Sequence, residues 1–168
     1  MAAQSSYTVW RGNNLLGMNA DAREPLEIVT GIAAEALSPG DAVWVSDWES
    51  NTNVAENRVR VSKIDASTDQ DKLYGFILFE HRQKTGLSST SLVIETGQDV
   101  AILRKGVIWV NNTEGQVLAG NKMKILDSNF KLTMQAGAGT AYHGCEFVSS
   151  GAAGTLVKLQ VNLPSYQS

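Results

Sequence analysis

Cysteine is almost absent from this chain of 168 residues: Cys145 stands alone. One thiol cannot form an intramolecular disulfide, and no cysteine framework points to a secreted mini-domain. Histidine is limited to His81 and His143, and with one cysteine these give no zinc-ligand spacing. No apolar stretch approaches the ~20 residues that cross a bilayer. The opening Met-Ala-Ala-Gln-Ser-Ser lacks a basic region followed by an apolar core, so no signal peptide is expected there. The expectation is a soluble product made in a cytoplasm, without a membrane role, and the Asn111-Asn112-Thr113 sequon then carries no meaning. Strong charge of either sign is also missing. A net charge of -3 gives no reason to expect nucleic acid, which needs many Lys and Arg on one face. Arg58, Arg60 and Lys63 are the nearest approach to a basic stripe and read as a solvated strand face.

What is present is a rhythm of short β-branched runs closed by glycine, from Glu27 to Leu163. The runs are Glu27–Gly31, Ala42–Ser46, Arg58–Ser62, Leu73–Phe79, Val107–Val110, Lys122–Leu126, Phe130–Met134 and Leu156–Val161. Val, Ile, Trp and Phe alternating with polar residues suit a half-buried pleated surface. Turn residues between such runs predict an all-β fold, a barrel or sandwich of short antiparallel strands. A hydrophobic content of 43% is enough for a core that needs no metal or disulfide. Ser38-Pro-Gly-Asp41 is a turn, with Pro presetting one φ and Gly supplying a positive one. Ile32–Leu37 reads as one helical turn or a continued extended run. Arg104-Lys-Gly106 and Asp127-Ser-Asn129 read as hairpins, and Gln135–Thr140 as a small-residue loop. Polar loops are expected at 47–53, 65–71 and 83–91. No repeat of fixed period is present, only regular spacing of strands and turns.

Residues 1–26 differ from the body, 27–168. Tyr7, Trp10, Leu15, Leu16 and Met18 are scattered there without period 2 or 3.6, and Gly12-Asn-Asn14 and Pro25 break any regular element. Such a segment cannot bury its large side chains against itself. It is either a frayed terminus or an extended arm that docks those residues on another subunit; a disordered tail rarely keeps so many.

Searched for catalytic chemistry, the chain yields little. Gly115–Lys122 nearly spells a phosphate loop, but the lysine comes one residue late, no Ser or Thr follows, and a strand rather than a helix comes next. His143 and Cys145 would share one face of a strand, where a thiolate–imidazole pair is conceivable. The inert alternative is a small buried thiol. Asp65, Asp69 and Asp71 gather carboxylates without the glycine and terminal glutamate of a calcium loop, so a solvated acidic turn is favoured. No carboxylate pair stands out for glycoside hydrolysis. Trp44 and Trp109 sit in alternating apolar runs and read as core. Trp44 and Trp48, four apart, would share a face in a continuous strand, yet Trp48 lies among polar residues and is the better contact candidate.

The order of the pieces resembles the small capsid decoration, or cement, proteins of tailed bacteriophages, glycine-rich β-barrels. The carrying segments are Val29-Thr-Gly31, Ala36–Val43, Leu73–Ile77, Gly97–Val110 and Gly115–Met123, covering roughly 27–163. The arm and the loops at Asp47 and Gln83 are longer than that pattern requires. The resemblance implies a non-enzymatic virion protein, without cofactor, on the outer capsid surface. It would bind the major capsid protein, as a trimer, and stabilise contacts between capsid subunits. The interface residues expected are Tyr7, Trp10, Arg11, Leu15, Leu16, Met18 and Trp48. Two alternatives stay open at this point: another virion β domain, of tail or fibre, or a carbohydrate-binding β module using Trp48 and the acidic loops. Enzyme chemistry would rest on His143 and Cys145 alone.

Overall fold

The computed structural model describes residues 16–21, 26–49, 58–64, 72–79, 93–126, 132–133 and 139–164. Among these there are nine strands and no helix. They are β1 (Glu27–Ala33), β2 (Ala42–Glu49), β3 (Arg58–Lys63), β4 (Gly75–Ile77), β5 (Asp99–Asn112), β6 (Lys122–Leu126), β7 (Leu132–Thr133), β8 (Gly139–Phe147) and β9 (Thr155–Asn162). The all-β expectation holds.

The first five strands close on themselves. Their order is β1-β3-β2-β4-β5, and β1 also pairs with β5, which completes a five-stranded barrel. Closure is what the rhythm of runs could not reveal, and it removes the exposed edges an open sheet would present. The pairings are antiparallel except β1 with β3, which run parallel, Gly31 opposite Val59. The barrel interior holds Ala33, Leu37, Val43, Val59, Val61, Tyr74, Ile77, Ile94, Val100 and Ile102. A second core gathers Phe76, Leu78, Ala101 and Leu103 from the other face of the barrel strands with Ile108, Val110, Met123, Ile125, Cys145, Phe147, Val157, Leu159 and Val161.

Strand β5 joins the two cores. Over its first half, even residues (Val100, Ile102) face the barrel interior and odd ones (Ala101, Leu103) the second core. Both faces are buried, which explains the nearly unbroken apolar run there. Beyond Gly106 the parity inverts, and Ile108 and Val110 enter the second core. A β-bulge causes the inversion. Glu27 pairs with Lys105 but Ile28 pairs with Leu103, leaving Arg104 as the extra residue. Gly106 follows it at φ 135°. Arg104–Gly106 is therefore no hairpin; glycine and charge, read as a turn, mark a kink inside one 14-residue strand.

The second half repeats the plan of the first. Four turns share one design, each ending on a glycine of positive φ that leads into a strand: Gly40 (85°), Gly97 (84°), Gly120 (90°) and Gly154 (78°). Leu37 and Ile94, at the first two turns, form a reciprocal bridge; Val117 and Gly151 form the same bridge at the other two. The Gly40 N–H donates to Ile77 O at the end of β4, and Gly120 N–H to Phe147 O at the end of β8. The Gly97 N–H donates to Ala33 O at the end of β1, and Gly154 N–H to Asn112 O at the end of β5. The strand order β5-β9-β8-β6-β7 mirrors that of the barrel once β5 takes the place of β1. The molecule is thus two related units sharing β5.

Other corrections are local. The extended alternative holds for Ile32 and Ala33, which continue β1. Strand β8 was not anticipated, because its run of glycine, alanine and threonine carries little β signal. Trp48 stands on β2, opposite Val59, rather than in a loop. The register shifts between Val45 and Asp47, so a spacing of four no longer fixes a common face for Trp44 and Trp48. Trp109 is half-buried beneath the Lys158 ammonium rather than in a core. Of the polar loops expected at 47–53, 65–71 and 83–91, residues 47–49 belong to β2 and the rest lie outside the described residues.

Candidate functional site

Two ion-paired clusters among the described residues act as braces. Arg104, 4% exposed, lies where β5 passes from one unit to the next. Its guanidinium donates to Tyr74 O at 2.9 Å and to Pro164 O, and stacks 4.4 Å from the Tyr74 ring. The Glu27 carboxylate approaches Arg104 Nε at 3.5 Å and Lys105 Nζ at 3.0 Å. One bulged residue therefore ties together β1, the approach to β4 and the segment after β9. Asp41 closes its turn by accepting the Ser38 N–H at 2.7 Å and pairing with Lys63 Nζ at 3.3 Å. Burial nevertheless raises its pKa above the ordinary 3.8, against the opposing pull of Ser38 and Lys63.

Cys145 is fully buried, and desolvation pushes its thiol up to about 12. It stays protonated at neutral pH and is no nucleophile. The side chain of His143 lies outside the described residues. No group of three or more His, Cys, Asp or Glu that could hold a metal exists among the described residues.

The interface residues expected from the sequence separate into three sets. Tyr7, Trp10, Arg11 and Leu15 lie outside the described residues. Trp48 is placed by its backbone on β2, but its side chain also lies outside them. Leu16 and Met18 are described, and they sit on their own chain. The Gly17 N–H donates to Trp109 O at 2.8 Å, Trp109 N–H to Met18 O at 3.1 Å, and Ala20 N–H to Val107 O at 2.7 Å. This short antiparallel ribbon occupies the edge of β5 opposite β9. Gly17 O also accepts the Phe79 N–H at 2.8 Å. Leu16 and Gly17 cover the turn at Pro39–Gly40 so closely that a Cβ on Gly17 would stand 2.5 Å from Pro39 Cβ. The leading segment is anchored at 16–20, inside the 1–26 stretch assigned to the arm.

Sequence reasoning missed the apolar side chains that face outward. Leu26 (46% exposed) and Ile28 (49%) stand two apart along β1 and the residue before it, while Leu118 (50%) and Val148 (40%) flank the outer turn of the second unit. A signal existed for Leu118, since it adjoins Val117, which points inward, and alternation turns the neighbour out.

A bracing network, an inert thiol and an anchored leading segment describe a body built to be held and to hold. The family model for "Structural cement protein (E217 gp24/Pam3 gp6)" matches residues 3–162. The chain belongs to this family of phage structural cement proteins. The cement protein also shares its fold with a solved chain from "The capsid of Myoviridae Phage XM1". That likeness has a TM-score of 0.65 and 14% identity, over 96% of this chain and 98% of the other. No curated protein sequence matches it significantly. The cement protein is a structural component of the virion that binds and stabilises the capsid. The anchored ribbon and the four turns all fall within the matched residues.

Proposed function

We propose that this cement protein sits on the outer surface of the assembled head, as a trimer, and clamps neighbouring major capsid subunits without catalysing a reaction. The observation that carries this reading is the family match over residues 3–162, nearly the whole chain. The physics supports it. Two fused units braced by Arg104 form a stiff body, and residues 1–15, which precede the anchor in the sequence, carry Tyr7, Trp10, Arg11 and Leu15. Together with Leu16, Met18 and Trp48 these are the proposed contact residues. Burying a large apolar side chain contributes roughly 1.5–3 kcal/mol before ordering costs. The ribbon on β5 holds the root of the arm, which lessens the entropy left to lose. Several weak attachments per trimer then give persistent binding.

The test uses expanded heads lacking the protein, mixed with the full chain or with a chain that begins at Leu16. The full chain should decorate the heads and raise the temperature at which they disrupt. The shortened chain, folded by circular dichroism, should bind at least about tenfold more weakly. Sedimentation equilibrium should give three times the 18.1 kDa chain. Decoration of tails but not heads would defeat the reading, and equal binding by both chains would remove the arm from it.

A further inference from the structure

The two related units do not end alike. In the barrel, the turn Ser38–Asp41 is covered: Pro39 and Gly40 are buried because Leu16 and Gly17 lie on them. A Cβ on Gly40 would stand 2.8 Å from Leu16 Cδ1. The turn Leu118–Asn121 of the second unit has the same backbone. Gly120 has φ 90° against 85° for Gly40, and its N–H makes the corresponding bond, to Phe147 O. Yet no atom of the described residues lies within 4 Å of a Cβ placed on Gly120. Leu118 is 50% exposed, and Val148, next to Phe147, is 40% exposed. Ala119, Ala152 and Ala153 are exposed beside them. One socket is filled by a leucine-bearing turn of chain; its counterpart presents apolar side chains to water, which a monomeric surface seldom gathers without a partner.

We propose that the open turn at Leu118–Gly120, with Val148, is the docking site for the N-terminal segment, residues 1–15, of a second copy of this chain. The filled socket shows what fits: a turn of chain carrying a leucine, with a positive-φ glycine beside it, laid over a glycine turn. The chain's own Leu16 and Gly17 are not available, since the Gly17 backbone is bonded to Trp109 and Phe79 and the Leu16 side chain lies on Gly40. Residues 1–15 end where that anchor starts and bring Tyr7, Trp10 and Leu15. Fully extended, fifteen residues span roughly 50 Å, about the length of β5 at ~3.3 Å per residue. That reach suits a neighbouring copy. The same pairing repeated around a ring is heterologous and closes, as a trimer requires. The inference rests on the oligomer reading above only in requiring copies to stand side by side.

The experiment pairs a Leu118→Cys chain with a Trp10→Cys chain, and in parallel with Tyr7→Cys and Leu15→Cys chains. Cys145 is kept, because it is buried. Each mixture is oxidised mildly, free in solution and on decorated heads, and the linked peptides are mapped. The expected result is an interchain disulfide between position 118 and at least one arm position. Its yield should be several-fold above that with Glu95→Cys in place of Leu118→Cys. In the otherwise unaltered chain, Leu118→Glu with Val148→Glu should weaken self-association at least tenfold, as removal of residues 1–15 does, and the two changes together should add nothing. A chain carrying both cysteines that links only to itself, a yield equal to the Glu95 control, or links from position 118 only to capsid protein would overturn the proposal. Heads that bind normally without the interchain link would defeat this inference alone, whereas linked protein that fails to bind heads would defeat only the functional reading.

Discussion

Arg104 sets the conditions at the residue scale. It is the extra residue of the bulge, buried, with its guanidinium shared between Tyr74 O, Pro164 O and the Glu27 carboxylate. Arg104→Ala should therefore cost about 3 kcal/mol in urea unfolding, since it leaves the Tyr74 and Pro164 carbonyls without their donor and Glu27 with Lys105 alone. Arg104→Lys should recover less than half, because an ammonium cannot fork between partners. A loss below about 1 kcal/mol for the alanine variant would deny the brace. Asp41 gives a pH signature. Burial raises its pKa above 3.8, so the folded protein binds this proton more tightly than the unfolded chain does. The stability it contributes is complete below the unfolded value and is lost as pH rises through the folded one. Asp41→Asn should gain on the parent in urea titrations as pH rises above the unfolded value; a constant difference would contradict this. Neither role was legible in the sequence. Arg104 looked like a turn residue, and Asp41 was recognised only as part of a turn.

At the element scale, the ribbon formed by residues 17–20 along β5 is the smallest separable piece. It rests on two backbone bonds to Trp109, one each to Val107 and Phe79, and a close fit of Gly17 on Pro39. Gly17 has φ 73°. Gly17→Ala would add a strain of about 1–2 kcal/mol at that dihedral, and its Cβ would strike Pro39. The expected outcome is release of the ribbon: hydrogen exchange at the Trp109 and Phe79 amides should speed up at least about tenfold while Ile102 stays protected. Unchanged exchange at Trp109 would show that the ribbon does not depend on that fit. The strands themselves were mostly readable, since β1, β2, β3, β6 and β9 coincide with alternating runs. Strand β8 was not, because its glycines, alanine and threonine are set by pairing with β6 and β9 rather than by propensity. The anchored part of the arm was also unreadable. Leu16 and Met18 carry no period, and their partners are far off in the chain.

At the scale of the whole molecule, the two units share more than a strand. Phe76 and Leu103 of the barrel pack in one core with Phe147, Leu159 and Met123 of the second unit. The units should therefore unfold together. Circular dichroism and tryptophan fluorescence should give coincident thermal transitions, and Phe76→Ala should shift both equally at a cost of about 3–5 kcal/mol. Two separate transitions would mean that the shared core does not couple them. Stiffness of this kind suits a cement protein, which holds a shell in shape only if it does not deform first. The duplicated plan also places equivalent turns at both units, one covered and one open, and that contrast is visible only with both in view.

Local chemistry settled most of the strands and the glycine turns at Gly40, Gly97 and Gly120, because alternation, β-branching and positive-φ turns act over a few residues. The order of segments also carried the family resemblance. Closure of the barrel, inversion of parity at Arg104, the kinship of the two units and the seating of Leu16 on Pro39–Gly40 were decided by the tertiary structure. Each depends on contacts between residues distant in the chain, and a single inserted residue in a strand exchanges inside for outside without leaving a distinctive mark in the sequence.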